Sequence, residues 1–215
     1  MSSHQRPADQ RAALCDALAS VPPTAPTLCE GWTAHHLAAH VWVRENETFR
    51  VAGNLLTRKS ERTDDRLAEL VARRPYADLV EAIRRGPAGG SPFRLPGVEQ
   101  VANTLEFFVH CEDVRRGGGD LTPRPRDLAM ENEAWKASAI LARRAFRTCP
   151  VAVWLERDAP AGDPVRIGRG PDIVTVVGAP TELLLYLSGR RGAARVELVG
   201  EPASVSLVER VSLGF

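Results

Sequence analysis

The residues best equipped for chemistry lie between positions 103 and 113. Asn103, Glu106, His110 and Asp113 are three, four and three residues apart. On a helix, at about 100° per residue, the four fall within about 80° of one another. Beside them stand Val98, Val101, Ala102, Leu105, Phe108 and Val109, an apolar face on which an ionised carboxylate is costly unless paired or bound to a cation. Glu106 and His110 are one turn apart, a spacing that suits chelation as well as a plain surface ion pair. A catalytic zinc or related divalent ion takes three protein ligands and keeps one position open. His40, on the face with Leu37, Val41 and Arg44, is the natural third ligand from another helix. The expected metal set is therefore His40, Glu106 and His110. His36, four residues before His40, offers an alternative chelating pair; otherwise His35 and His36 read as surface or capping residues. Asp113 could hold His110 in one tautomer, or pair with Arg115 or Arg116 at the helix end. Asn103 could orient Glu106 or a bound water, or simply face solvent.

These positions need helices to present them. Pro7 suits a first helical turn, and Ala12, Leu14, Ala17, Leu18 and Val21 give a stripe that ends at Pro22, Pro23 and Pro26. Thr33 reads as the N-cap of a second helix to about residue 56, with Leu37, Val41, Arg44 and Thr48 on one face. Two shorter helices, about 64–73 and 76–85, lead into a glycine- and proline-rich loop over 86–97. A third long helix covers about 98–116 and is capped by Gly117-Gly118-Gly119. A fourth covers about 125–148, with Leu128, Trp135, Ala139, Leu141 and Phe146. Four long helices with one long connection make a bundle. After Cys149-Pro150 the period shifts towards two: strands are expected at 151–156, 165–167, 173–177 and 195–199, a hairpin turn at Gly168-Arg169-Gly170, and a short helix at 181–188. The expected fold class is α+β, a helical bundle over 1–150 and a small α/β domain over 151–215.

Composition narrows the function. The chain has 215 residues, 44% apolar and 26% charged, as in ordinary folded proteins. Its 28 basic and 27 acidic residues nearly cancel and are interleaved, so no nucleic-acid footprint arises. There is no apolar leader or membrane-length segment, which points to a cytoplasmic protein. The 4 cysteines are scattered without a C-x-x-C pair, and read as buried thiols. Gly117-Gly118-Gly119 follows a helix, not a strand, and so is not a dinucleotide loop; no G-x-S-x-G elbow is present.

Residues 27–40, TLCEGWTAHHLAAH, resemble the "GW(T/S)…DL(A/V)AH" signature of the DinB-like superfamily, closest to the actinobacterial branch of mycothiol-dependent maleylpyruvate isomerases. Residues 103–116, NTLEFFVHCEDVRR, resemble the second signature of that branch. More narrowly, both segments are similar to an actinobacterial family described only as metal-binding. The tail, with Pro180-Thr181-Glu182-Leu183-Leu184 and Ser188-Gly189-Arg190, is similar to the branch's sterol-carrier-like C-terminal domain. The resemblance implies a metal, usually zinc, on His40, Glu106 and His110, with mycothiol as co-substrate. One departure is His36, where the family more often has Asp before Leu. The implied activity is a thiol-dependent transferase or isomerase: an activated small-molecule thiol attacks a small electrophilic substrate. The loop over 86–97, Arg44 and Arg190 are candidate substrate contacts or plain surface charges. Two other readings stand beside it: a metal-dependent hydrolase with Glu112 or Asp113 as base, and a non-catalytic metal- or ligand-binding protein. The resemblance is also compatible with a homodimer.

Overall fold

A computed structural model describes residues 5–47, 61–87, 89, 98–158 and 164–214, and the chain divides into two units, Met1–Asp120 and Leu121–Phe215. The first unit is helical: α1 (Gln5–Ala19), α2 (Ala34–Asn46), α3 (Glu61–Arg73), α4 (Tyr76–Arg85) and α5 (Val98–Gly117). Helix α1 packs on α5 and α4, and α2 packs on α3 and α4. Leu14 and Leu18 from α1 meet Leu37 and Val41 from α2, Leu67 from α3, Leu79 and Ile83 from α4, and Phe107 and Val114 from α5 in one apolar core. Truncating a fully buried ring such as Phe107 to alanine costs about 3–5 kcal/mol, so packing rather than helix propensity holds the unit together.

Helix α2 begins where Thr33 suggested. Thr33 is extended, with φ −87° and ψ 171°, and His36 Nδ1 lies 2.9 Å from its hydroxyl and 3.4 Å from its backbone nitrogen. His36 is thus a capping residue with its ring turned back on Thr33. The helix ends at Asn46 with Glu47 as C-cap; the expected continuation, including Thr48, lies outside the described residues.

The second unit holds α6 (Leu128–Phe146), β1 (Ala152–Arg157), β2 (Val165–Ile167), β3 (Ile173–Gly178), α7 (Pro180–Leu187), β4 (Val196–Val199) and α8 (Pro202–Glu209). The sheet order is β2-β1-β3-β4, with β1 antiparallel to β2 and parallel to β3, and β3 antiparallel to β4. Val153, Leu155, Val174 and Val176 point into a core closed by Leu183, Tyr186, Leu187 and Val208. Within Leu121–Phe215 the fold is the expected small α/β layer.

Three expectations are corrected here. The fourth long helix, α6, lies with the sheet and not with the bundle, because its Ala142 and Phe146 join the strand core and it packs chiefly on α7; Leu128, expected in its stripe, is exposed. The division therefore falls after Asp120 instead of near 150, and the shorter α3 and α4 complete the bundle in its place. Gly168–Gly170 does not close a hairpin: β2 and β3 both pair with β1, so this segment is the passage from an edge strand across to the far side of β1. Helix α8 escaped the sequence reading, although Pro202 in its first turn and the buried Ser204 and Val208 one turn apart mark it.

Candidate metal centre

Helix α5 is buried on nearly every side from Asn103 to Val114. Phe107, Cys111 and Val114 face the core, and Phe108 and Val109 are buried outside that cluster. The apolar face read from the sequence is therefore only part of what the helix buries, and of that face Leu105 is half-buried while the side chains of Val98, Val101 and Ala102 lie outside the described residues. Its polar residues need internal partners, and they sort onto two sides. On one side Glu112, fully buried, accepts from Arg116 Nε at 2.6 Å and Arg115 Nη1 at 2.8 Å. That arrangement ties Glu112 to two arginines of its own helix.

The other side carries the centre. Glu106 Oε1 lies 3.1 Å from His110 Nε2 and 3.5 Å from His40 Nε2 on α2. One ligand atom from each of His40, Glu106 and His110 fits within 4.8 Å of the other two. The two imidazole rings meet edge to face, centroids 5.2 Å apart at 76°. A tetrahedral zinc ion with bonds near 2.0–2.1 Å would hold neighbouring donors about 3.3 Å apart. The two separations from Glu106 Oε1 bracket that edge, and all three donors lie within 4.8 Å of one another, so the chemistry of two imidazoles and one carboxylate suits such an ion. His40 and Glu106 side chains keep 27% and 21% of their surface exposed, against 8% for His110. The triad thus has one wet side from which a further ligand can approach.

The surrounding contacts orient the donors. His110 Nδ1 lies 2.8 Å from Asp113 Oδ2, a fully buried carboxylate, so Asp113 braces the ring. Arg44, one turn beyond His40, places Nε 3.3 Å from Glu106 Oε1 and donates from Nη1 to Asn103 Oδ1 at 2.5 Å. Asn103 is fully buried, which excludes its reading as a solvated residue. His35, by contrast, turns to the Arg74 carbonyl at 3.0 Å and Tyr76.

Electrostatics follow the same layout. Burial pushes the Glu106 carboxyl up, but Arg44 and the hydrogen bonds from both histidines overcome it and hold the group well below the usual carboxylate range. Burial lowers His40 and keeps it neutral, as a metal-binding imidazole must be. Burial opposes the charged form of His110 too, yet Asp113, Cys29 and Glu106 outweigh it and raise that imidazole well above its usual value.

A second cluster, Cys29, His110 and Asp113, also gathers potential ligands. Its spacings are 2.8 Å from His110 Nδ1 to Asp113 Oδ2 and 3.2 Å from Cys29 Sγ to Asp113 Oδ2, hydrogen-bond distances that tie Cys29 and His110 to one carboxylate. Sequence reasoning missed Cys29; nothing in its position 84 residues away signals contact with Asp113. Arg190 donates to the Ser188 carbonyl at 2.5 Å within the second unit, and most of the 86–97 loop lies outside the described residues.

Among the described residues no helix is long and apolar enough to cross a membrane. No curated protein matches the sequence. Residues 5–90 match the family model of the mycothiol maleylpyruvate isomerase N-terminal domain, a span that includes His40 and stops short of Glu106 and His110. Two crystal structures share the fold. One is a histidine-to-alanine mutant of a mycothiol-dependent maleylpyruvate isomerase, with 18% identity, 94% of this chain and 95% of that chain covered, and a TM-score of 0.63. The other is the mycothiol-dependent maleylpyruvate isomerase itself, with 17% identity, the same coverage of 94% and 95%, and a TM-score of 0.57. The chain thus resembles the mycothiol maleylpyruvate isomerase N-terminal domain over residues 5–90 and shares the fold of the two solved structures along nearly its whole length.

Proposed function

We propose that the protein is a divalent-metal enzyme, with zinc as the fitting ion, that uses mycothiol to isomerise or modify a small electrophilic substrate. The convergence of His40, Glu106 and His110, whose ligand atoms lie within 4.8 Å of one another, carries the proposal. A zinc ion bound there would supply an open Lewis-acidic position where a thiol loses its proton near neutral pH. The protein's own residues do the rest. Asp113 fixes the His110 ring so that Nε2 faces the other donors. Arg44 holds Glu106 by one oxygen and is itself braced by Asn103. The exposed edges of His40 and Glu106 leave an approach for thiol and substrate together.

Addition of the thiol sulfur to an activated double bond, rotation, and elimination of the same thiol would change geometry with no net consumption of thiol. If elimination does not follow, the outcome is transfer. The structural neighbours' names, mycothiol-dependent maleylpyruvate isomerase, supply the first pair to assay. The decisive experiment measures zinc per chain in wild type and His110→Ala, then turnover of maleylpyruvate with and without mycothiol. Metal in wild type alone, with thiol-dependent turnover, is expected. A metal-free wild type, or turnover indifferent to thiol, would overturn the reading.

A further inference from the structure

We propose that the segment Pro26 to Trp32 is the positioning strap of the metal centre, Cys29 setting His110 through Asp113 and Trp32 setting His40. The inference rests on the metal-centre reading above and assigns roles to residues outside the ligand set.

The strap is tied to α5 at several points. The Leu28 backbone N–H donates to the Asp113 carbonyl at 3.1 Å, and Cys29 Sγ donates to Asp113 Oδ2 at 3.2 Å. That oxygen is the one 2.8 Å from His110 Nδ1. At the other end, the Trp32 ring lies 5.0 Å from the His40 ring, tilted by 47°. Thr27 braces the strap internally: it accepts from the Cys29 N–H at 3.2 Å and donates to the Trp32 carbonyl at 2.9 Å. Close approach is enforced at Gly117, where a Cβ would collide with the Pro26 carbonyl and stand 2.6 Å from Thr27 Cα. One short segment therefore reaches both histidines that come from different helices.

The choice of a thiol has a physical reason. A fully buried carboxylate needs donors, and a thiol is a weak one. Cys29 helps satisfy Asp113 while leaving most of its accepting strength to the imidazole. Orienting partners of this kind change metal affinity about 10–100-fold when removed.

The test uses full-length protein and zinc competition against a chromophoric chelator. Cys29→Ala is expected to weaken zinc binding about tenfold, and Cys29→Ser, which keeps a donor, to restore most of it. Trp32→Leu should weaken binding and Trp32→Phe retain it. A residue needed only for folding would shift the melting of metal-free protein without moving affinity in the folded variants. Wild type that binds zinc with variants of equal affinity would overturn the strap alone. A cobalt-loaded wild type with a thiolate charge-transfer band that Cys29→Ala removes would also overturn it, by making Cys29 a ligand. Wild type that takes up no metal would remove the functional reading and this inference together.

Discussion

Asp113 lies one turn beyond His110 on α5, and its Oδ2 is 2.8 Å from His110 Nδ1, while Nε2 of the same ring looks to Glu106 at 3.1 Å. In the proposed centre the two nitrogens would have separate duties, one for the brace and one for the ion. Asp113→Asn should upset this division, because an amide can donate to Nδ1 and move the proton to Nε2, the nitrogen a metal needs bare. Zinc affinity is expected to fall about 10–100-fold, measured by chelator competition. Unchanged affinity would show that the brace has no part in binding.

Glu106→Gln keeps the shape of the side chain and removes its charge. Arg44 would then face a neutral amide, and the centre would lose its only anionic ligand among the three. Elemental analysis should find wild type loaded, and Glu106→Gln and His40→Ala largely empty, with helical circular dichroism preserved. Full zinc occupancy in either variant would exclude the proposed ligand set.

Proton linkage gives the metal-free protein a signature. The His110 imidazole is held above its usual value of 6.5 because Asp113, Cys29 and Glu106 together outweigh burial. A raised folded value means stability that is fully present below pH 6.5 and lost as pH climbs through the folded value. His110→Gln should abolish that alkaline loss in metal-free samples, seen as melting temperature against pH. His40, lowered by burial, acts in the opposite sense: its contribution is lost as pH falls below 6.5. With metal bound the His110 trend should reverse, since the ion competes with the proton and binds more weakly in acid.

A buried ion pair far from any expected chemistry supports the bundle. Arg11 donates to both oxygens of Glu45 at 2.6 and 2.7 Å, donates to the Ile83 carbonyl at 2.9 Å, and lies over the Phe107 ring. Glu45→Ala leaves a buried guanidinium without its carboxylate and should cost about 3–5 kcal/mol. Replacing both residues by apolar side chains of similar volume should recover most of that loss in urea unfolding. A single variant as stable as wild type would show the pair to be dispensable.

The grouping of the candidate residues was legible because each helix face is a local pattern. The spacing of Asn103, Glu106, His110 and Asp113 shows on the sequence as one helical face, and His40 stands on a face of its own helix. What the residues do to each other was not legible. Helical spacing left Asp113 open to His110 or to the terminal arginines; its contact with His110, and those of Glu112 with Arg115 and Arg116, show only in three dimensions. Cys29 reaches Asp113 only through the path of a loop, which periodicity does not encode. The strands and α7 were read within a residue or two, since alternation is a local signal. The membership of α6 was misplaced because an apolar stripe says that a helix packs, and not against what.

The position of α6 matters for anyone who wishes to handle the two halves separately. A chain cut after residue 150 would carry away a helix whose Ala142 and Phe146 have parted from Val153, Leu183 and Tyr186. Such a fragment would show water a sticky ridge and invite self-association. Severing the chain after Asp120 keeps each greasy interior with its own walls. The useful scissor point is therefore in the short run before Leu128, not at the proline that announces the first strand.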